Sequence, residues 1–293
     1  MEFTTFVLLI ATMLSMSLIN VFKKLYKKSA PIFLSLCNTF FTLLFFVVAF
    51  FITSGFNFTI DENMLKYAIP YCACYLLSAI FSLLALSCGD LSLTGLFISF
   101  SLIIRTLYGI IIGDEVGITF FIGLALFFIC LVLVNVKFKK IDGKEKKPIS
   151  LKWVIFVIIG AVSNGCSSIF QTAHQKATGG KFGSEFMIIA LAIALVVYAV
   201  ITLFAERGKI KDAYKRALPL GAIIGVLTGT LNLLVMMFTG QSLLPVAIFF
   251  PVLSGGTLII TFIIGFFFYK EKYDFLQYVG IICGLASVIL LNI

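Results

Sequence analysis

KFKKIDGKEKKPISLK, residues 137–152, is the one long polar segment in a chain that otherwise reads as hydrocarbon. Five apolar stretches precede it, centred near residues 12, 42, 76, 102 and 127, and five follow, near 163, 195, 228, 257 and 283. Each approaches the roughly 20 apolar residues that a helix needs to cross the hydrocarbon of a bilayer. The fold turns on reading this segment as a basic linker between two like parts: residues 1–136 as a first five-helix repeat and 153–293 as a second. The expectation is an all-α integral membrane protein with ten transmembrane helices.

Composition excludes the water-soluble classes. The chain is 61% hydrophobic and 12% charged, with a mean hydropathy of +1.15; a core and its polar shell do not average so high. The net charge of +9 comes from lysines in short loops beside membrane ends, where they set orientation and do not point to nucleic acid. Seven cysteines, at 37, 72, 74, 88, 130, 166 and 283, are odd in number and lack the paired spacing of a disulfide framework or zinc site. They read as small packing residues, and neither a metal nor a cofactor is expected. Met1 leads directly into FTTFVLLIATMLSMSLINVF without a basic leader, so this stretch reads as a first span and not as a removable signal. The 33 phenylalanines are assigned to lipid contact and packing, and none to binding.

The halves resemble each other. A shift of 157 lays GDEVGITFFIGLALFFICLVLVN, residues 113–135, over KEKYDFLQYVGIICGLASVILLN, residues 270–292, pairing Gly123 with Gly280 and Asn135 with Asn292. A shift of 151 lays MSLIN, residues 16–20, over SSIFQ, residues 167–171, pairing Ser17 with Ser168 and Asn20 with Gln171. Five is an odd number, so a second copy enters the membrane from the opposite side. The expected architecture is two inverted five-helix repeats around a central cavity, with a substrate site where the copies meet.

On these elements the chain resembles the drug/metabolite transporter superfamily in its ten-helix, EamA-like form, which includes exporters of amino acids and metabolites. The resemblance spans essentially the whole chain; its most specific part is the acidic turn and glycine-bearing last helix of each half. It implies a cavity lined by spans 1–4 and 6–9, with spans 5 and 10 peripheral. It also implies cytoplasmic termini, against the charge count below. The buried glutamate of the superfamily's small multidrug members has no mid-span counterpart here, which disfavours cationic-drug antiport by that route.

Polar residues fall on stripes at helical spacing. Asn164, Ser168, Gln171 and His174 share one face of span 6. Tyr71, Tyr75, Ser78 and Ser82 do so in span 3, and Thr94, Ser101, Arg105 and Tyr108 in span 4. Ser17 and Asn20 mark span 1; Thr228 and Asn232 mark span 8. Such faces either line a wet cavity that binds substrate or act as hydrogen-bonding glue between helices. Arg105 either meets a carboxylate with its forked donors or snorkels to an interface. His174, the only histidine, and Glu185 are candidates for proton coupling, with an interfacial role as the alternative. Pro251, Gly255 and Gly256 in span 9 suit either a gate or hinge or a packing kink.

Nothing supports an intramembrane enzyme: the sequence has no HExxH, no pair of mid-span aspartates and no second histidine. A phosphate-binding glycine loop is also absent, so a gradient must drive any work. The expected function is secondary active transport of a small polar metabolite, an amino acid by preference and outward, by alternating access in a bacterial-type plasma membrane. Expected partners are the solute, a coupling ion such as H+ and the lipid bilayer, with a monomer as the unit. Exporters of sugars, nucleotide conjugates or organic amines stay open, as does a non-transporting scaffold or passive pore. Odd-numbered loops hold 18 Lys and Arg, and even-numbered loops hold Lys66, Lys176 and Lys181, which places both termini outside by the positive-inside rule. A single cysteine placed in residues 137–152 then stays unlabelled by an impermeant maleimide in intact cells, whereas one placed near Gly179 reacts.

Overall fold

The computed structural model describes residues 3–26, 30–53, 57–60, 62–88, 94, 98, 100–135, 151–269 and 275–291. The linker up to residue 150, residues 270–274 and Asn292 of the second repeat copy, and the Cys88 side chain lie outside the described residues.

Among the described residues, ten α-helices occupy the ten apolar stretches. They are α1 (Phe3–Leu25), α2 (Pro31–Thr53), α3 (Glu62–Cys88), α4 (Ser101–Ile111), α5 (Ile118–Asn135), α6 (Leu151–Ala177), α7 (Gly183–Ala205), α8 (Ile210–Gly240), α9 (Val246–Tyr269) and α10 (Phe275–Leu290). Seven of them, all but α4, α5 and α10, are long and apolar enough to cross a membrane. Their outer faces are apolar as well: Phe204 is 88% exposed, with Phe3, Ile52 and Phe275 nearly as open. Water would not tolerate that surface and lipid would, so the chain is a multi-pass membrane protein.

By contact the chain forms two compact units, residues 1–73 with 169–243 and residues 74–168 with 244–293. Each draws helices from both sides of the linker. The first holds α1, α2, α7, α8 and the adjoining parts of α3 and α6.

The seam of the first unit is a ladder of glycines on α8. Gly221, Gly225 and Gly229 recur every four residues and present bare backbone to α2. A Cβ on Gly225 would stand 2.9 Å from the Asn38 carbonyl oxygen and 3.1 Å from the Thr42 nitrogen. Gly221 meets Cys37 and Gly229 meets Phe45 just as closely. Small residues at such spacing let membrane helices gain packing that lipid cannot match. The Thr42 hydroxyl lies in the seam, 2.8 Å from the Asn38 carbonyl and 3.1 Å from that of Gly225. Beside it Ile19 of α1 and Leu34, Cys37, Ala217 and Ile224 form an apolar core.

Glu206, just past α7, closes the end of this seam. Its carboxylate accepts the N–H groups of Ile32 (3.1 Å) and Phe33 (2.8 Å) in the first turn of α2. Pro31, which has no N–H, starts that helix. The carboxylate thus satisfies orphan donors and opposes the positive helix end. Tyr26 donates to the Ala30 carbonyl at 3.0 Å. Burial first, and then the nearby Glu206 charge, hold its phenol above the usual range.

The second unit repeats the device with other residues. Gly109 of α4 abuts the Ala247 backbone of α9, and Asp114 Oδ2 accepts the Ala247 N–H at 2.9 Å. On the α5–α10 seam, the Ser287 hydroxyl donates to the Gly123 carbonyl at 2.7 Å. A Cβ on Gly284 would lie 2.8 Å from Cys130 Sγ. The six described cysteines carry free thiols, in line with packing. Trp153 Nε1 donates to Thr94 Oγ1 at 3.0 Å, which anchors the start of α6. The paired helices α2 and α7, α4 and α9, α5 and α10 are each five apart in chain order.

Gly225→Ala should lower the melting temperature in detergent, because the nearest obstacles are Phe41 Cβ, which is fixed by its backbone, and two backbone atoms of α2, none of which can rotate away. Gly208→Ala, where a Cβ meets nothing within 4 Å, should leave it unchanged.

Candidate functional site

Two groups of polar side chains lie among the apolar helices, one in each unit. In the second unit, α4 and α6 touch where Gly165 leaves room for Ile104. This close approach brings Asn164 Nδ2 to Ser101 Oγ at 3.2 Å. Arg105 Nη2 reaches the same oxygen at 3.5 Å, one turn along α4. The guanidinium carbon sits 5.3 Å from the centre of the Phe250 ring of α9, a cation–π contact. Arg105 Nε is buried without a hydrogen-bond partner among the described residues. Asp114, the nearest acid ahead in sequence, is engaged at the start of α9. The result is an arginine held on one edge and one face, with donors to spare and no carboxylate bound to it among the described residues.

The rest of that unit's stripe is quieter. Ser82 donates to Ser78 O at 2.5 Å, and Ser167 to Asn164 O at 2.9 Å. Ser168 lies 3.5 Å from the same Asn164 carbonyl. These hydroxyl protons serve their own helices, leaving lone pairs for any solute. Tyr75, Ser78 and Tyr108 are half-buried. Pro251, Gly255 and Gly256 are buried inside the continuous helix α9. A Cβ on Gly255 would lie 2.7 Å from Val288 Cγ2, so this glycine serves close packing against α10.

In the first unit a polar thread crosses three helices. Gln171 Nε2 of α6 donates to Asn232 Oδ1 of α8 at 3.2 Å. Asn232 Nδ2 donates back to the Thr228 carbonyl at 2.9 Å, and the Thr228 hydroxyl donates to Asn38 Oδ1 of α2 at 3.3 Å. Gln171 is 4% exposed, so these bonds replace water that the helices exclude. Ser17 of α1 is fully buried and donates to Met13 O at 2.8 Å, whereas Asn20 is exposed.

One turn beyond Gln171, His174 is 0% exposed. Its ring stacks on Phe186 of α7, 4.3 Å between centres and 18° from parallel. Tyr67 of α3 meets it edge-on at 6.3 Å, and Tyr71 meets Phe186 at 5.3 Å. Gln175 Nε2 lies 3.1 Å from His174 Nδ1. Glu185, in the first turn of α7 beside Phe186, is 3% exposed.

The stripes thus resolve into specific pairs: Asn164 with Ser101 and Arg105, and Gln171 with Asn232. Asn38, Gln175, Phe186 and Phe250 belong to these groups and were not expected. For the two phenylalanines no sequence signal exists, since they are two among 33. Asn38 had one: it is the sole amide within the apolar stretch of α2.

No protein-family model matches the chain, and no curated protein matches it. A solved structure, described only as the crystal structure of a protein, shares its fold. The TM-score is 0.75, with 99% of this chain and 98% of that chain covered, at 10% sequence identity. The likeness extends to the whole path of the chain and carries no function.

Proposed function

We propose that the protein is a secondary active transporter of the drug/metabolite superfamily, in the ten-helix, EamA-like form. It moves a small polar metabolite with a carboxylate, by preference an amino acid, outward across a bacterial-type plasma membrane. The observation that carries this reading is Arg105: a guanidinium within an apolar helix bundle, braced by Ser101 and Phe250, whose Nε has no acceptor among the described residues. A buried cation is expensive in lipid. Structural arginines offset that cost with an acid, and this one meets none among the described residues. A bidentate carboxylate from a solute would use the free edge.

Helices five apart in sequence pair with one another, which supports the reading of two inverted repeats around a shared cavity. Alternating access follows if the copies rock about that seam. The sequence has no phosphate-binding loop, which points to an ion gradient as the driving force. Buried His174 and Glu185 are the groups available to couple proton movement to that of the solute.

The test is counterflow in proteoliposomes with a panel of amino acids, amines and sugars. A hydrogen bond to a charged group is worth about 1.5–3 kcal/mol, so Arg105→Gln should slow uptake at limiting solute roughly 10- to 100-fold. Arg105→Lys should keep part of the rate, because it retains the charge and loses the fork. Saturable counterflow that is indifferent to both substitutions would sink the role given to Arg105.

A further inference from the structure

A cavity of about 530 Å³ opens within the first unit, between the end of α2, the α6–α7 connection and the end of α8. From its geometry we propose a second binding site, specific for a zwitterion of the amino-acid type with an apolar side chain. The site uses neither Arg105 nor any residue of the second unit.

The negative pole is Glu185. It lines the cavity and is 3% exposed, and its carboxylate has neither a hydrogen bond nor an ion pair among the described residues. Lys181 lines the same cavity without pairing to it. A buried carboxylate without a protein partner beside an open space leaves its lone pairs to a cation placed in that space. Gln175, 1% exposed, adds to this pole. With its Nε2 donating to His174 Nδ1, its Oε1 remains an acceptor. An ammonium group has three donors to share between these acceptors.

The positive pole is the start of α7. The first backbone bond of this helix runs from Phe186 N–H to Phe182 O, so the N–H groups of Gly183, Ser184 and Glu185 meet no acceptor among the described residues. Phe182 at the cap has a left-handed backbone, φ 56°, and no side-chain oxygen to offer. The contrast with α2 and α9 is direct. There Glu206 and Asp114 accept the opening N–H groups; Glu185 lies in the first turn of α7 but accepts none of its N–H groups, which face the cavity side. Open N–H groups with the helix dipole behind them suit a carboxylate, and Lys181 adds charge on the exposed side.

A simple anion would be repelled by Glu185, and a simple cation would leave the helix end open. A solute with ammonium and carboxylate on one carbon answers both. Leu233, Met236 and Met237 of α8 form an apolar wall for its side chain, and methionines adapt to varied shapes. The pocket's frame is tight. A Cβ on Gly240 would lie 2.7 Å from Gly180 Cα, and one on Gly183 would lie 3.2 Å from Gln175 Nε2.

The full chain in detergent can be titrated by calorimetry with L-leucine, isopentylamine and 4-methylpentanoate, which share a skeleton and differ in the charged groups. Leucine should bind best. Glu185→Gln should weaken leucine and the amine roughly tenfold or more. Lys181→Gln should weaken leucine severalfold and spare the amine, whereas Arg105→Gln should leave this site intact. Should Glu185→Gln fail to fold, Asn57→Cys, at the exposed rim, provides a second readout: leucine should slow alkylation of the introduced thiol, as followed by mass spectrometry. Because Arg105 is itself proposed to take a carboxylate, the titrations are run on the full-length Arg105→Gln chain; the proposal is overturned if leucine there neither releases heat nor protects that thiol, if adding Glu185→Gln leaves its binding unchanged, or if the amine or the acid alone binds as tightly. Because binding is measured without transport, failure here leaves the Arg105 reading standing, and the reverse also holds.

Discussion

Backbone approaching backbone along α2 and α8 is the contact on which the first unit rests. In lipid, apolar side chains gain nothing by leaving one another for hydrocarbon, so helices associate through fit. Three glycines a turn apart remove every side chain that would hold α8 away from α2. Once the axes are that close, Asn38, Thr42 and Thr228 come within reach of one another. Gln171 then joins through Asn232. The polar thread follows from the glycine ladder, because none of these side chains is long enough to bridge a wider gap.

The same logic governs where charge is tolerated. Each acid that serves structure sits at a helix start with backbone N–H groups to accept, as Glu206 and Asp114 do. Arg105 has no acid beside it among the described residues, and Glu185, though in the first turn of α7, accepts none of that helix's N–H groups; that difference separates residues that hold the fold from residues available to a solute. Aromatic rings accompany both regions: Phe250 lies under the guanidinium, and Phe186 lies against His174 next to Glu185. The rings exclude water from a polar group and take none of its hydrogen bonds.

Seven helices were legible because about 20 consecutive apolar residues admit no other structure in a bilayer; α4, α5 and α10 are shorter and were legible from their apolar runs alone. The ten stretches read from composition are the ten helices found among the described residues. Spacing within one helix was legible too, so Ser101 and Arg105 could be placed on one face and are in contact. Which helix a face would meet was not. Nothing local to Asn164 names Ser101 as its partner, and nothing near Glu206 names the N–H of Phe33, 173 residues away. The GxxxGxxxG run at Gly221 stood in plain view, but its surface is defined only by the α2 residues that fill it. His174 could be read as interfacial or as a proton carrier; its burial between Tyr67 and Phe186 depends on α3 and α7 arriving together.

The interleaving of early and late helices sets a timetable for biogenesis. Thr42 and the Gly225 carbonyl it touches are 183 residues apart in the chain. At about 5–20 residues per second, the ribosome needs roughly 10–40 s to deliver the second after the first. Until Glu206 is made, α2 has its opening N–H groups unanswered, and until Gly225 follows, its notched face is covered by lipid or by the insertion machinery. The nascent chain therefore cannot complete either compact unit by halves. Maturation waits for the last helices, and a ribosome that stalls before α8 leaves a membrane-inserted product with no stable seam.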